Sequence, residues 1–447
     1  MASASLSRSI SSSPTNPDKF TVSMWIKKTG QGAEQVLLGN YSSSNFRGKL
    51  QFKSNDKLEY YQVNDGNVTA QIRTTRVFRD ASGWYNLVVQ FDTSQGTASD
   101  RIKIYINGTQ ETAFDLSSYP AQNLDMRPNQ ASTTLNIGQD GNSGNYLDGE
   151  LAHVHLADGQ TYAPTVFAET DATTGIWKPK TDPGISQANY GDDGFFLKFD
   201  NSANMGLDSS GNSNNFTTNG TIIQTKDTPS NVFATMNPLV KSGNTFSNAN
   251  LTITSNSGTS YQNSVSTLAV TKGKWYAECK LSNVSGLYPG VGIIDASEKG
   301  AGNGDNEGYF GSSDNPKGIQ LYCGGFYSTG NGNNVSLTSN STNDIIGIAL
   351  DLDSATKNIK MYRNGTLITG TSVTPPDPDG GYVFGVTMNQ NAASGAAAQW
   401  NFGNGYFGTS AVASAENPDD GNGIFEYDVP AGYRALCTKS LNAEEYS

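Results

Sequence analysis

Alternation of apolar and polar residues dominates this chain and predicts β-strands, because side chains along a strand point to opposite faces with a period of two. The clearest examples are the segments 20–27, 84–91, 101–106, 346–352 and 359–361. No long window has the three-and-four spacing of apolar residues that marks an amphipathic helix. Only 164–167, which begins with proline, predicts a single helical turn. We therefore expect an all-β chain.

Two of the predicted strands end in the same hairpin signature. Residues 102–109 read Ile-Lys-Ile-Tyr-Ile-Asn-Gly-Thr, and residues 359–366 read Ile-Lys-Met-Tyr-Arg-Asn-Gly-Thr. Asn-Gly favours a tight hairpin because both central residues of that turn need positive φ. A matching unit so far along the chain suggests two sandwiches of related architecture. The alternative is that hairpins simply share this composition.

A domain boundary is predicted between 225 and 250. The segments 227–231 (Asp-Thr-Pro-Ser-Asn) and 237–238 (Asn-Pro) interrupt regular strand pairing there, and 447 residues suffice for two or three domains. We expect two antiparallel β-sandwiches with the following organisation: a first sandwich over 1–225, a linker over 226–250, a second sandwich over 251–408, and an extension over 409–447 that packs back on the second sandwich.

Composition and charge exclude several classes of protein. The net charge is −12 and no cluster of lysine and arginine occurs, so we expect no nucleic-acid partner. No apolar stretch of about 18 residues predicts a membrane span, and the serine-rich start lacks the apolar run of a signal peptide. Three cysteines, none in the first 278 residues, indicate buried thiols made in a reducing cytoplasm rather than a disulfide framework.

The two halves resemble two families. The segments 84–93, 100–108, 135–138 and 148–159 resemble the concanavalin A-like, laminin-G-like jelly roll. The segments 273–278, 290–293, 344–351, 364–365 and 400–403 resemble a SPRY domain. Fold alone does not give function, but both resemblances imply sandwiches whose loops bind carbohydrate or protein. One departure is His153, which stands where the jelly-roll strand is expected to carry an acidic residue.

A further resemblance concerns tailed bacteriophages. Residues 430–438 read Pro-Ala-Gly-Tyr-Arg-Ala-Leu-Cys-Thr, which resembles the usual C-terminal sequence of such proteins in these phages. Residues 5–8 and 169–179 also resemble segments typical of that phage group. This resemblance implies a virion protein made in the host cytoplasm. The implied partners are other virion proteins, a host cell-surface glycan or protein, and further copies of the same chain.

Glycan hydrolysis is the enzyme activity whose residue pattern we compare with this sequence. It needs two carboxyl groups about 5–9 Å apart across one bond. The nearest matches, Glu169-Thr-Asp171 and Glu426-Tyr-Asp428, both lack the third acid of a Glu-x-Asp-x-x-Glu strand. We therefore expect no enzymatic activity and keep a glycan hydrolase as an alternative.

Two segments carry groups that can bind a metal ion. His153 and His155 form a His-x-His pair, but two ordinary sheet residues are the favoured interpretation. The loop 208–214 offers oxygen atoms at alternate positions, as calcium requires, from Asp208, Ser210, Asn212 and Asn214. A self-capped turn without metal is favoured there as well. No cofactor is expected to be required.

Aromatic residues near the glycine-rich stretches of the second half are the candidate ligand-binding residues. They are Tyr309, Phe310, Tyr322, Phe326 and Tyr327. Exposed loop aromatics can stack on sugars or anchor protein contacts, although alternation also allows Tyr322 to lie in the core.

Together these patterns predict a non-enzymatic virion surface protein. Its role would be that of a fibre or fibre-associated adhesin that recognises a host glycan or protein, with rigid sandwiches displaying polar loops. The alternative is a capsid-decorating or structural tail protein without receptor activity. The absence of a stalk of its own in the sequence favours that alternative.

Overall fold

A computed structural model of the chain describes residues 4–142, 144–240, 243–256, 261–284, 289–302, 308–330, 334–388 and 395–446. The chain divides into two compact units, Met1–Gln224 and Thr225–Ser447. Antiparallel sheets account for nearly all the regular structure, so the prediction of an all-β chain is confirmed. Within the described residues, no helix is long and apolar enough to cross a membrane.

The first unit contains sixteen strands in its described residues. They are β1 (Ser5–Ile10), β2 (Lys19–Lys28), β3 (Gln35–Ser43), β4 (Phe46–Phe52), β5 (Lys57–Asn64), β6 (Asn67–Val77), β7 (Tyr85–Asp92), β8 (Ile102–Ile106), β9 (Thr109–Gln110), β10 (Phe114–Ser118), β11 (Thr133–Ile137), β12 (Gly149–Asp158), β13 (Ala168–Thr170), β14 (Trp177–Pro179), β15 (Phe195–Leu197) and β16 (Thr217–Asn219). The short helices are α1 (Pro164–Phe167) and α2 (Gln187–Tyr190), with 3-10 turns at Ala98–Asp100 and Arg127–Asn129. The helical turn predicted at 164–167 is confirmed.

These strands form a two-layer sandwich. The eight-stranded sheet has the order β10-β6-β5-β4-β3-β11-β1-β16, the six-stranded sheet has the order β15-β12-β2-β7-β8-β9, and β13 pairs with β14. The core contains Val22 and Met24 from the smaller sheet together with Leu50, Tyr60 and Ile72 from the larger sheet. Alternate residues therefore point inward, and their neighbours on β4, β5 and β6 point away from the core.

The second unit repeats this architecture with different strand lengths. Its strands are β17 (Thr245–Ser247), β18 (Thr252–Thr254), β19 (Gln262–Val265), β20 (Lys274–Asn283), β21 (Gly290–Asp295), β22 (Ile319–Tyr322), β23 (Phe326–Ser328), β24 (Asn334–Ser336), β25 (Ile345–Asp351), β26 (Asn358–Arg363), β27 (Thr366–Leu367), β28 (Tyr382–Met388), β29 (Ala397–Asn401), β30 (Tyr406–Phe407), β31 (Ser410–Ala411) and β32 (Arg434–Ala435). Its helices are α3 (Lys299–Gly302) and α4 (Thr438–Glu445).

Two sheets again enclose the core of this unit. The larger sheet has the order β17-β18-β29-β20-β25-β26-β27, with β32 added parallel to β20, and the smaller sheet has the order β19-β28-β21-β22-β23-β24. Trp275, Ile348 and Trp400 of the larger sheet pack with Val291 and Phe384 of the smaller sheet. The three cysteines are buried and free, as the sequence predicted.

The expectation of a linker over 226–250 is wrong. Ala234 and Met236 are buried in the core of the second unit, and Phe233 forms a β-bridge with Cys437. The segment 409–447 packs on the same unit, since Phe425 and Tyr433 belong to a buried cluster on the larger sheet. Polar and proline-rich composition suggested a linker, but it did not reveal these long-range apolar contacts.

Both predicted Asn-Gly hairpins form, and their geometries agree closely. The φ values are 48° and 79° at Asn107 and Gly108, and 47° and 78° at Asn364 and Gly365. The side-chain carbonyl of Asn107 accepts a hydrogen bond from the backbone N–H of Asn86 at 2.8 Å. In the second unit, Asn364 accepts the corresponding bond from the N–H of Ile345, also at 2.8 Å.

Candidate functional site

The aromatic residues predicted to bind ligand do not form one exposed cluster. Phe310 and Tyr327 are completely buried, and the Tyr327 hydroxyl donates to the carbonyl of Thr371 at 3.0 Å. These two residues are therefore core residues, which corrects the prediction that they lie exposed on loops.

The remaining members of that set have mixed positions. Tyr322 is half-buried on β22, Tyr309 is half-buried with its ring centroid 5.3 Å from that of Tyr261, and the side chain of Phe326 lies outside the described residues. A binding role for Tyr309 and Tyr322 stays a prediction.

The predicted calcium loop is held by its own hydrogen bonds. The Asp208 carboxylate accepts bonds from the backbone N–H groups of Phe196, Ser210 and Asn214 at 2.8–2.9 Å, and from the Ser210 hydroxyl at 2.8 Å. The amide of Asn212 donates to the carbonyl of Gly194. Donors thus occupy the oxygens that a cation needs, which supports the self-capped turn. Calcium binding stays a prediction.

The two histidines lie on one strand but do not form an open ligand pair. His153 sits at a bulge of β12 with φ 48°, and its ring centroid is 6.4 Å from that of His155. Burial lowers the pKa of His155 well below its usual range, its ring stacks on Phe196 at 3.8 Å, and its Nδ1 lies 3.0 Å from the Tyr190 hydroxyl. The described residues contain no group of three His, Cys, Asp or Glu side chains placed for a metal.

The paired acids are engaged in local structure. Lys178 bridges Glu169 and Asp171 at 3.8 and 2.7 Å on the β13–β14 hairpin. The hydrogen bonds from Lys178 and from the Thr173 and Thr174 segment hold the pKa of Asp171 well below its ordinary value. Glu426 accepts a bond from the N–H of Ala413. Glu169, Asp171 and Glu426 are thus engaged in local structure, and a glycan hydrolase stays an alternative.

A polar surface that the motif analysis missed covers the outward side of β4, β5 and β6 in the first unit. Strand register sets two rows across these strands: Gln51, Glu59 and Arg73 form one, and Lys49, Tyr61 and Gln71 form the other. We call these six residues together with Arg47 the polar face. Because their sequence neighbours Leu50, Tyr60 and Ile72 fill the core, alternation alone turns the polar face outward.

Glu59 organises one row of the polar face. Its carboxylate accepts hydrogen bonds from the side-chain amides of Gln51 at 3.0 Å and Gln71 at 2.9 Å, and from Arg73 Nε at 2.8 Å. The Glu59 side chain is 2% exposed, whereas that of Arg73 remains 23% exposed. Charge-assisted bonds of this kind fix geometry strongly. Glu59 therefore orders the half-buried amide of Gln71 and the half-buried guanidinium of Arg73 at the surface.

Tyr61 is the aromatic centre of the second row. It is half-buried, and the Arg47 guanidinium lies 5.7 Å from its ring centroid. Lys49, the register partner of Tyr61 on the same strand β4 as Arg47, donates from Nζ to Asp140 at 3.2 Å. An aromatic ring flanked by ordered donors suits a hydroxylated ligand.

The comparisons with known proteins agree with this architecture. Residues 4–166 match the family model of the concanavalin A-like lectin/glucanases superfamily. The strands β1 to β12, and with them the polar face, lie within the part of the chain that matches this model. No curated protein sequence matches the chain.

Several solved structures are similar to parts of the chain. The SPRY domain of human HERC1 is 16% identical with a TM-score of 0.27, over 36% of this chain and 90% of that chain. Domain 4 of AbnA, a GH43 extracellular arabinanase from Geobacillus stearothermophilus, in complex with arabinotriose, is 15% identical with a TM-score of 0.26, over 34% of this chain and 65% of that chain. The enzymatically active domain of tailspike protein 2 of bacteriophage CBA120 is 13% identical with a TM-score of 0.26, over 35% of this chain and 24% of that chain. Identities this low concern the fold alone.

Proposed function

We propose that this chain is a non-enzymatic recognition protein of a tailed-phage virion and that its polar face binds a surface glycan of the host cell. The observation that carries the proposal is the ordered set of amide, guanidinium and phenol groups around Tyr61 on a lectin-type jelly roll. Sugars offer both apolar faces and hydroxyl groups, and this surface offers a partner for each.

The absence of enzymatic activity is part of the proposal, and the state of Glu59 supports it. Both oxygens of its carboxylate already accept hydrogen bonds, one of them from Arg73. A general acid must instead hold a proton that it can transfer to the leaving oxygen. Glu59 therefore suits the positioning of Gln51, Gln71 and Arg73 rather than bond cleavage.

The virion location rests on the sequence resemblance of 5–8, 169–179 and 430–438 to phage proteins. Docking on other virion proteins and self-association stay predictions. Many copies on one particle would raise the avidity of a weak single site without any new contact. Immunogold labelling of purified particles with antibody against the second unit checks the location, and we expect label at tail fibres or the tail tip. Even label over the head would instead indicate a decoration protein.

Binding of the full chain to immobilised surface polysaccharides and oligosaccharides tests the recognition role. We expect at least one glycan to bind and Tyr61→Ala to weaken that binding tenfold or more, or about 1.4 kcal/mol. Tyr446→Ala is the matched control, because Tyr446 is 85% exposed and lies outside the polar face. Absence of glycan binding, or equal binding by Tyr61→Ala, contradicts the proposal. Release of reducing sugar from a bound glycan would identify a hydrolase instead.

A further inference from the structure

A strap of chain covers the outward side of the smaller sheet in the first unit. We use the name strap for residues 160–192, which lead from β12 to β15 and contain α1, β13, β14 and α2. The match to the family model ends at residue 166. Most of the strap therefore lies beyond the part of the chain that resembles the family.

Hydrogen bonds join the strap to outward side chains of the sheet. The Thr21 hydroxyl of β2 accepts from the N–H of Tyr162 at 2.9 Å, and Gln90 of β7 donates its amide to the carbonyl of Tyr162 at 2.8 Å. Asn86 of β7 accepts from Trp177 Nε1 at 3.1 Å. The sequence neighbours of these sheet residues fill the core, so the three side chains point away from it, toward the strap.

His155 of β12 is the buried centre of the contact between strap and sheet. It is 1% exposed, and its ring stacks on that of Phe196 with the centroids 3.8 Å apart. The ring of Phe167 in α1 lies 5.1 Å away, and the Tyr190 hydroxyl of α2 lies 3.0 Å from His155 Nδ1. Both helices of the strap thus close over this imidazole.

The strap has a small apolar cluster of its own. Ala157, Tyr190 and Phe196 are buried in it, with Tyr162 and Ile185 packed against them. This cluster is separate from the much larger core between the two sheets. Segments with few buried apolar contacts open at a lower free energy than the core of the same unit. The strap can therefore open while the two sheets stay paired.

The closed strap disfavours a proton on His155. The charged and titratable groups around this residue are His153 on its own strand, Lys198 after β15, and Tyr162 and Tyr190 of the strap. Burial lowers the pKa of His155 well below its usual range, and the positive charges of His153 and Lys198 lower it further. Burial also raises the pKa of Tyr190, so its hydroxyl stays neutral and offers no negative charge to compensate.

Opening reverses this condition. Once water reaches the imidazole, its pKa returns toward the ordinary value of about 6.5. The open strap then binds a proton that the closed strap does not. Above about pH 6.5 neither state is favoured by this group, and as pH falls below that value the closed strap loses stability.

We propose that His155 is an acid-sensitive latch and that the strap opens at low pH while the two sheets of the first unit stay paired. Opening uncovers the outward side of the smaller sheet, including Thr21, Asn86 and Gln90. The polar face lies on the larger sheet, so the latch is independent of glycan binding at Tyr61.

Hydrogen–deuterium exchange of the full chain at pH 7.5 and pH 4.5 tests the proposal. Protection factors correct for the effect of pH on intrinsic exchange. We expect the protection of peptides from the strap to fall tenfold or more at pH 4.5. Peptides from β2 and β7 are expected to change less than twofold, because the core between the sheets does not contain His155.

Two matched variants separate the latch from other groups that titrate in acid. His155→Phe keeps an aromatic ring against Phe196 but cannot bind a proton, so we expect its strap protection to change less than twofold between the two pH values. His153→Gln removes the other histidine of β12, and we expect its strap to open at pH 4.5 as in the wild-type chain.

A second measurement keeps the proposal falsifiable if His155→Phe does not fold. The chain contains two histidines, so the carbon–proton NMR signals of the imidazoles follow each one directly. We expect the His155 signal to show protonation only at the pH where strap protection is lost. An unchanged strap at pH 4.5, equal opening in His155→Phe, loss of protection in β2 and β7 together with the strap, or protonation of His155 under a protected strap would each overturn the proposal.

Discussion

The larger sheets of the two units each bury a glutamate on the side that faces away from the core, but they satisfy it differently. In the first unit, Glu59 binds the side chains of Gln51, Gln71 and Arg73. In the second unit, Glu278 accepts hydrogen bonds from the backbone N–H groups at 426 and 427, at 2.8 and 3.0 Å. Those two backbone groups belong to the C-terminal extension.

We call the polar face around Glu59 in the first unit the open face. We call the outward side of the larger sheet around Glu278 in the second unit the closed face, because the C-terminal extension covers it. Over Glu278, the extension adds Phe425 and Tyr433 to a buried cluster with Tyr276, so that face is part of the interior. Within the described part of the chain, the hydrogen bonds to the Glu59 carboxylate come from side chains, and Tyr61 and Arg73 remain partly exposed. A face that satisfies its own polar groups through side chains keeps them ordered and available to a ligand.

The largest loss of stability is expected when Glu278 on the closed face is replaced by alanine. Glu278→Ala leaves the partly buried backbone N–H groups at 426 and 427 without their acceptor, at about 1–3 kcal/mol each. We expect the free energy of unfolding to fall by about 2–6 kcal/mol in urea titrations at pH 6. Asp428→Ala is the control, because Asp428 is exposed on the same extension. Equal stability of the two variants would show that Glu278 does not anchor the extension.

The stability of the chain is also expected to depend on pH through Glu278 on the closed face. Burial raises the pKa of Glu278 from 4.5 to about 7, although the hydrogen bonds from 426 and 427 oppose the shift. Because the folded state binds the proton of the Glu278 carboxyl group more tightly than the unfolded state does, protonation of Glu278 stabilises the fold, and this stabilisation is complete below pH 4.5. That contribution is lost as pH rises through about 7, and it amounts to about 3 kcal/mol.

The measurement is the change in unfolding free energy between pH 5 and pH 8, in the wild-type chain and in Glu278→Gln. We expect the wild-type chain to lose more stability than the variant over this interval. Parallel pH profiles would mean that Glu278 does not titrate in this range.

The smallest change in stability is expected on the open face. Glu59→Gln removes the charge that Arg73 pairs with, but the Arg73 side chain is partly exposed. The glutamine amide keeps one oxygen that can accept from Gln71 or Arg73, so stability should fall by about 1 kcal/mol, the net contribution of one hydrogen bond. Glycan binding should weaken severalfold, because one amide oxygen cannot hold Gln51, Gln71 and Arg73 together as the carboxylate does. A large loss of stability with unchanged binding would place Glu59 in the same structural role as Glu278.

The sequence predicted the parts of the fold that depend on local pattern. Alternation predicted β2 and β25, the Asn-Gly pairs predicted both hairpins, and Pro164 marked a helical turn that the structure contains. Each of these features is decided within a few residues, by side-chain period or by backbone φ.

Features that depend on packing between residues distant in the sequence could not be predicted in the same way. Phe310 and Tyr327 lie near glycines that suggested exposed loops, yet neighbouring strands bury both. The polar face depends on the register of three strands, although the alternating polar positions of β4 and β5 already carried part of that signal. His155 and Tyr190 are 35 residues apart in the sequence, so only the folded chain brings them together.

The central claim is that the open face of the first unit recognises glycan. A crystal structure of the full chain with the oligosaccharide that binds best tests it most directly. We expect a sugar ring against Tyr61, with hydroxyl groups bonded to Gln71 or Arg73. An oligosaccharide bound only to the second unit, with the polar face left to solvent, would contradict it.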